Sequence, residues 1–424
     1  MHSHNPFEYG TPITHPDLFF GRRTEITRIQ DSVRQMRSIS IVGERRVGKS
    51  SLLNLMASPD LIAEYDLGND VIFCFVDLQG FEEISPPEFW RWILKELYAR
   101  LPENLALEVY NVLENRNFDT LSLRILFEKL SEKNIIFLFD EFESILQNPQ
   151  FPRSFYGHLR WLSQNCPVAY ITATRRELVY HCIDSTTKTS PFFNIFDNLV
   201  LRTFKSQECR ELVNHYLDSA DVRFRESEIT KLIDVSGGYP EFLQMASSFL
   251  YYAYHDDHSE GSEPECWRYV EDNFRVQLKS HSEYFWDKSE EEERILLALL
   301  ALLSQAHRHS IPEQEIRKVY PRYKNDLLTL YTRSLVLKVN GGFRLFSHIF
   351  AEWVLIELTD ISKAGEDSLE EWLAAYGKNF VAKGLDKIEE EFRKVNPRYW
   401  NLLFKTLLLV REPEPILDII DKIA

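Results

Sequence analysis

Residues 43–50, GERRVGKS, have the G-x-x-x-x-G-K-S spacing of a phosphate-binding loop, and they lie between an apolar stretch and a helix-forming run. In such a loop Gly43 and Gly48 allow backbone amides to turn toward an anion. Lys49 can reach the β- and γ-phosphates, and Ser50 is a candidate Mg²⁺ ligand. The spacing therefore predicts a site for ATP or GTP with Mg²⁺, whose loop contacts would be Gly43, Arg46, Val47, Gly48, Lys49, Ser50 and Ser51.

Two acidic residues, Asp140 and Glu141, directly follow the apolar stretch 134–139. A buried strand that ends in acids is expected where the carboxyl edge of a parallel sheet faces a nucleotide. There Asp140 would hold Mg²⁺, directly or through water, and Glu141 would orient and activate the attacking water. The alternative is a strand that simply ends in solvent.

The next predicted strand ends in ITATRR, at residues 171–176. A polar or basic residue at this tip can touch the γ-phosphate and report its presence. Arg175 is the candidate, followed by Thr174. The alternative for Arg175 is an ordinary surface ion pair, which is a common and weak interaction.

Apolar, strand-like segments alternate with helical ones from about residue 36 to 202, which predicts an α/β fold with a largely parallel sheet. Helical periodicity is clear at 87–100 and at 121–130. The predicted strands are 38–42, 71–77, 134–139, 169–172 and 198–201.

Helices dominate after residue 203, and we interpret the first of them as a small helical lid. A polar, acidic loop is predicted at 255–265. Three helices and a glycine-turned ribbon follow within 290–358, which is the pattern of a winged helix-turn-helix. The predicted domains are an arm at 1–18, a P-loop core at 19–203, a lid at 204–270, a winged helix at 271–358 and a helical, leucine-rich C-terminal region at 359–424.

Composition narrows the class of protein. The five cysteines include no C-x-x-C pair, which fits reduced thiols and predicts a cytoplasmic protein. The longest apolar run is far shorter than a membrane span, so no membrane partner is expected. A formal net charge of -16 argues against non-specific coating of nucleic acid.

Several motifs together resemble the STAND ATPases, the signal-transduction ATPases with numerous domains. They are FFGRRTE at 19–25, the phosphate loop, FDEF at 139–142, the Thr174-Arg175 tip and GYP at 238–240, while NPFEYG at 5–10 resembles the arm of prokaryotic members. The resemblance implies that Phe20, Gly21, Arg22 and Pro240 flank the adenine and ribose. It also implies a winged helix in which a histidine or a neighbouring polar residue senses the diphosphate, and His348 or Ser347 has about the right place.

The resemblance implies a nucleotide switch that is held closed by ADP and exposes surfaces for self-assembly with ATP, in signalling or anti-phage defence. Archaeal origin-initiator ATPases share the loop, acids and winged helix but usually carry an arginine in the lid after the glycine. Here Glu241 follows the lid proline. This favours the STAND branch and predicts slow hydrolysis, because an arginine finger speeds hydrolysis by roughly 10³–10⁵ where one is used.

DNA binding through the winged helix, in replication, transposition or transcription, is the alternative. Residues 307–344 carry eight basic residues and three acids. They can contact phosphates, or instead the acidic ATPase core or the nucleotide in a closed state. The other expected partners are further copies of the chain and an effector or trigger protein bound by residues 359–424.

Overall fold

The computed structural model describes residues 4–59, 70–182, 185–218, 220–255, 263–304, 310–319 and 323–363. They form two compact units: the sheet unit, Tyr9–Phe204, and the helical unit, which combines Met1–Glu8 with Lys205–Ala424. The boundary between the units therefore falls within the N-terminal segment, between Glu8 and Tyr9. No helix among the described residues is long and apolar enough to cross a bilayer.

The sheet unit contains a five-stranded parallel sheet with the strand order β2-β3-β4-β1-β5. Every residue of β1 and β4 is buried, as expected for central parallel strands covered on both faces. The predicted α/β fold is thus confirmed. The strands are β1 (Ser38–Val42), β2 (Val71–Asp77), β3 (Asn134–Asp140), β4 (Val168–Thr174) and β5 (Phe196–Val200).

Helices connect the strands of this sheet. An aromatic core on β3 and β4, with Phe139 stacked 6.0 Å from Tyr170, packs against helices that carry Phe89 and Phe155. The helices are α1 (Arg23–Arg34), α2 (Lys49–Met56), α3 (Pro86–Tyr98), α4 (Glu103–Asn115), α5 (Thr120–Lys129), α6 (Glu143–Leu146), α7 (Arg153–Asn165) and α8 (Ser185–Lys188), with short 3₁₀ turns at Pro16–Leu18, Leu178–Tyr180 and Pro191–Ile195.

The helical unit is built around a second aromatic core. Tyr239 and Phe346, whose ring centroids are 5.0 Å apart, pack with Phe242 and Phe285. Gly237 has a φ of +62°, and a Cβ there would lie 2.5 Å from the Phe346 carbonyl oxygen, so only glycine fits. The helices are α9 (Ser206–Leu217), α10 (Glu226–Ser236), α11 (Pro240–His255), α12 (Glu263–Asp287), α13 (Glu291–Ser304), α14 (Glu313–Val319), α15 (Lys324–Thr332) and α16 (His348–Lys363).

Three short strands follow α13, and they form an antiparallel sheet of order β6-β8-β7. They are β6 (Ile311–Pro312), β7 (Val336–Val339) and β8 (Gly342–Leu345). The predicted lid boundary at residue 270 falls inside α12, and the loop predicted at 255–265 is already helical from Glu263. Most of the predicted C-terminal region, residues 364–424, lies outside the described residues.

Candidate functional site

The loop at 43–50 connects β1 to α2, which begins at Lys49. Gly43 has no room for a side chain, because a Cβ there would lie 2.6 Å from the Leu201 carbonyl oxygen. Gly48 caps α2 with a φ of +100°, a conformation that other residues rarely adopt, and the space before it is open. Each of the two glycines is therefore required, and the first turn of α2 presents its free amides at this loop, where they can bind an anion.

Lys49 extends over this loop. Its Nζ donates to the carbonyl oxygens of Gly43 at 2.9 Å and Glu44 at 3.2 Å. Burial raises the pKa values of Asp140 and Glu141, and the charge of the Lys49 ammonium opposes that rise. The loop cation and the acids that follow β3 are thus in one electrostatic neighbourhood, as the sequence motifs predicted.

Asp140 is the last residue of β3 and is buried. Burial raises the pKa of its carboxyl group, while a hydrogen bond with the Ser50 side chain and the charge of Lys49 oppose that rise. The amide of Glu141 donates to Asp140 Oδ1 at 3.0 Å. Ser50 and Asp140 thus present two neighbouring oxygen ligands, which suits Mg²⁺, an ion that usually keeps waters and takes one or two protein oxygens beside the phosphates.

Glu141 has a φ of +51°, in the left-handed region that few residues other than glycine occupy. Strain of this kind persists only where the surrounding structure holds it, and such residues cluster at functional sites. Burial is the main cause of the raised pKa of Glu141, and the Asp140 and Asp77 charges raise it further. The sequence-predicted base therefore lies in a strained turn beside the metal candidate.

Two further acids lie in this neighbourhood, and sequence reasoning missed both. Asp77 ends β2 and pairs with Asp140 in the strand register. Its position at the end of an apolar run was a usable signal, once β2 and β3 are known to be neighbours. Glu143 begins α6, and burial followed by the Glu141 charge raises its pKa to about 7. No feature of the sequence indicates that Glu143 is partly buried beside Glu141.

The tip of β4 is held by several hydrogen bonds. The hydroxyl of Thr174 donates to the Arg176 carbonyl at 2.7 Å, and the amide of Arg175 donates to Glu143 Oε1 at 3.2 Å. The amide of Arg176 donates to Nε2 of the buried His181 at 3.1 Å. Contact between Arg175 and a γ-phosphate stays a prediction.

The segment that was predicted to flank the base lies beside the loop. Arg22 is buried, with a φ of +64°, and its Nη2 donates to the Val47 carbonyl at 2.8 Å. Its guanidinium also lies over the Phe204 ring, 4.5 Å from the centroid. Arg22 thus braces the phosphate loop, while the adenine contacts of Phe20, Gly21 and Arg22 remain predicted.

The N-terminal arm also reaches the loop. The amide of Ile13 donates to Ser51 Oγ at 3.0 Å, and Nη1 of Arg46 donates to the Gly10 carbonyl at 3.2 Å. Ser51 and Arg46, both predicted nucleotide contacts, therefore use their side chains to hold the arm. Sequence reasoning did not foresee these bonds.

Pro240 and His348, the two remaining predicted residues, belong to the helical unit. Pro240 is the first residue of α11 and follows the buried Tyr239. His348 is the first residue of α16, and its Nε2 lies 3.6 Å from Glu271 Oε1. Their contacts with a nucleotide stay predictions.

Comparison with known proteins agrees with this geometry. The family model described as Novel STAND NTPase 2 matches residues 33–300. No curated protein sequence is similar enough to be matched with the chain.

Solved structures of other proteins are similar to this chain, and the first of them shares its fold. A Walker-type ATPase of Pyrococcus abyssi is similar with a TM-score of 0.54 and 17% sequence identity, over 82% of this chain and 99% of that one. The ORC2 protein of Aeropyrum pernix, solved in ADPNP–ADP complexes, has a TM-score of 0.49 and 15% identity, over 84% of this chain and 99% of that one.

Proposed function

Since the chain belongs to the novel STAND NTPases and is therefore a nucleoside triphosphatase, we propose that it is a switch that binds and slowly hydrolyses ATP. The observation that carries this proposal is the convergence of Lys49 with Asp140 and Glu141 on one open, glycine-bounded loop. Its proposed setting is signalling or anti-phage defence, and the proposed output is assembly of several copies.

The chemistry follows from the positions of these side chains. Lys49 exchanges its bonds to loop carbonyls for bonds to the β- and γ-phosphates, and the amides at the start of α2 bind phosphate oxygens. Ser50 and Asp140 would hold Mg²⁺, which neutralises charge on the phosphates when bound. Glu141 would orient the attacking water and accept its proton.

Slow hydrolysis is proposed because Glu241, rather than an arginine, follows the lid proline Pro240. Arg175 at the tip of β4 would then be the main side-chain cation, besides Lys49, that the site offers to the γ-phosphate. A long-lived ATP state suits a switch better than a motor, because a switch must persist until its signal has been passed on.

The helical unit supports a rigid-body response. Its lid residues Gly237 and Tyr239 pack on Phe346, and Tyr239 Oη donates to the Arg333 carbonyl at 3.2 Å. The lid and the segment 291–350 therefore share one core. We propose that ATP and ADP favour different positions of this whole unit, with Pro240 and His348 as its nucleotide contacts.

The test is the solution mass, by light scattering, of a Glu141→Gln variant in Mg-ATP and in ADP. This variant should bind ATP and fail to hydrolyse it, so we expect a larger mass in ATP alone. A matched control is Glu132→Gln, an exposed residue in the turn before β3, which should hydrolyse ATP like the parent. Unchanged mass and shape in both nucleotides would contradict the switch, and unchanged turnover in Glu141→Gln would remove Glu141 from its role.

DNA binding is the second candidate, and the element order of 291–345 favours it. A helix, a strand, two helices and a two-stranded ribbon in succession is the order of a winged helix-turn-helix. Two of the basic residues counted for a DNA surface are used elsewhere, however. Arg333 is buried against Glu293, and Arg344 pairs with Asp234 of α10 at 3.0 Å.

Fluorescence anisotropy with a labelled DNA duplex tests this alternative. Binding that weakens steeply with salt and is lost in a Lys324→Ala/Lys338→Ala variant would support it. Absence of binding at low salt would leave the basic residues with structural roles. A separate proposal is that residues 359–424 bind an effector or trigger protein. Its first test is to remove residues 364–424 and measure ATP turnover: unchanged turnover would agree with a role in partner binding rather than in hydrolysis.

A further inference from the structure

Glu143 is a partly buried acid at the nucleotide site to which the reaction described above assigns no role. Its Oε1 accepts the Arg175 amide, and its Oε2 is buried and has no hydrogen-bond partner among the described residues. After burial, the charges of Glu141 and Lys49 have the largest effects on the pKa of its carboxyl group: Glu141 raises it and Lys49 lowers it. The side chain thus lies between the end of β3 and the tip of β4.

We propose that Glu143 is a positioning residue for hydrolysis, which holds the backbone of Arg175 in place relative to the water-activating Glu141. The inference rests on the proposed function and deepens it. Glu143 would act through Arg175 and not by touching the nucleotide.

The covalent geometry supports this assignment. Only Phe142 separates Glu141 from Glu143, and Phe142 is fully buried and stacked on Phe139 at 5.5 Å. The amide of Phe142 also donates to the Ala173 carbonyl at 3.2 Å, which is a second tie between these segments. A displacement of the turn that carries Glu141 would therefore also displace Glu143.

The tip of β4 requires a hydrogen-bond acceptor for the Arg175 amide. β4 ends at Thr174, so the Arg175 amide lies beyond the last strand pairing and needs another acceptor. Glu143 supplies that acceptor from the segment that bears Glu141. A single side chain thus links the two predicted reaction groups, the base and the phosphate-sensing cation.

Substitutions separate hydrogen bonding from charge. Glu143→Ala removes the acceptor, so we expect kcat for ATP to fall about ten- to a hundredfold, as misplaced catalytic groups do, with KM within about threefold of the parent. Glu143→Gln keeps an amide oxygen for the Arg175 amide and should restore kcat to within about threefold. Glu177→Ala, an exposed acid two residues beyond Arg175, should behave as the parent.

A double-mutant cycle with Arg175→Ala tests the route of action. If Glu143 acts through Arg175, the double variant should be no slower than Arg175→Ala alone, whereas independent effects would multiply. Multiplying effects, a Gln variant as slow as the Ala variant, or an equal loss of ATP binding and of kcat would each overturn the proposal. A parent protein that neither binds nor hydrolyses ATP would instead refute the proposed function itself.

Discussion

The two units hold carboxylates in different surroundings. In the helical unit, Glu293 accepts a 2.6 Å bond from Arg333, and both side chains are almost fully buried. In the sheet unit, Glu143 has a backbone amide as its partner, and one of its oxygens has no partner among the described residues. Glu293 is neutralised by a cation that directly follows the end of another helix, whereas the pKa of Glu143 is raised to about 7 by burial and by the Glu141 charge.

This difference distinguishes charged residues that hold the fold together from charged residues that are available to a ligand. A buried ion pair joins two elements and is satisfied before any ligand arrives. For Asp140 and Glu141, in contrast, burial raises the pKa values of both carboxyl groups although the nearby charge of Lys49 opposes that rise. Parallel strands bring their carboxyl ends to one edge, which explains why the sheet unit holds this set. The comparison predicts which substitutions damage binding and which damage stability.

The largest effect is expected for Lys49→Ala. Removal of the ammonium should weaken ATP binding by at least about a hundredfold, since the loop amides must then bind the β- and γ-phosphates without the charge of Lys49. The melting temperature of the nucleotide-free protein should change little, because the Lys49 ammonium donates to loop carbonyls. Asp140 and Glu141, whose pKa values burial raises, can take up protons when the ammonium is lost. Fluorescent nucleotide titration and a thermal melt measure the two quantities. Lys129→Ala, whose surface pair with Glu108 is exposed, is the control, and a large loss of stability in Lys49→Ala would break the comparison.

Arg333→Ala should show the reverse behaviour. It leaves Glu293 buried without its cation, so the free energy of unfolding of the helical unit should fall by about 3–5 kcal/mol. Urea unfolding followed by tryptophan fluorescence measures this loss. Replacing both residues with methionine should recover most of it, and Arg344→Ala, which breaks an exposed pair, should cost at most about 1 kcal/mol. A stable Arg333→Ala protein that fails to bind ATP would assign this pair to the nucleotide site.

The sequence predicted the sheet edge better than the side-chain network on it. Strands 38–42 and 71–77 were predicted at their observed limits, because buried parallel strands are continuous apolar runs. Helix Glu103–Asn115 went unpredicted although its pattern is amphipathic. The role of Glu143 was beyond reach, because its partner Arg175 is distant in sequence and meets it only through strand order and the docking of a four-residue helix.

A smaller loss of stability is expected for Gly237→Ala in the lid. The residue has a φ of +62°, and the added Cβ would meet the Phe346 carbonyl oxygen at 2.5 Å. Strain and contact together should cost about 2–3 kcal/mol of unfolding free energy in the helical unit. Gly341→Ala is a matched control, since its φ is +79° but nothing lies within 4 Å of the new Cβ, so it should cost about 1 kcal/mol. Equal costs would show that the lid does not pack tightly on Phe346.

The smallest effect is the pH dependence contributed by two buried histidines of the sheet unit. Burial lowers the pKa of His181 to about 3 and that of His158 to about 4, so both stay neutral in the folded state. Between those values and about 6.5 these two histidines bind more protons in the unfolded chain, so their contribution to stability falls as pH falls. Glu143, whose pKa is raised to about 7, acts in the opposite direction in the same pH range.

From pH 7 to 5.5 each of these two histidines should cost about 1 kcal/mol, and His181→Gln should remove one share. The helical unit offers a contrast in Glu271, whose pKa is lowered mainly by its hydrogen bond with His348. Its contribution is present above the ordinary carboxyl pKa and is lost only as pH falls below it. Unfolding curves at several pH values should therefore show a steeper loss of stability, or a smaller gain, from pH 7 to 5.5 in the parent than in His181→Gln, and equal pH dependence in the two proteins would contradict this assignment.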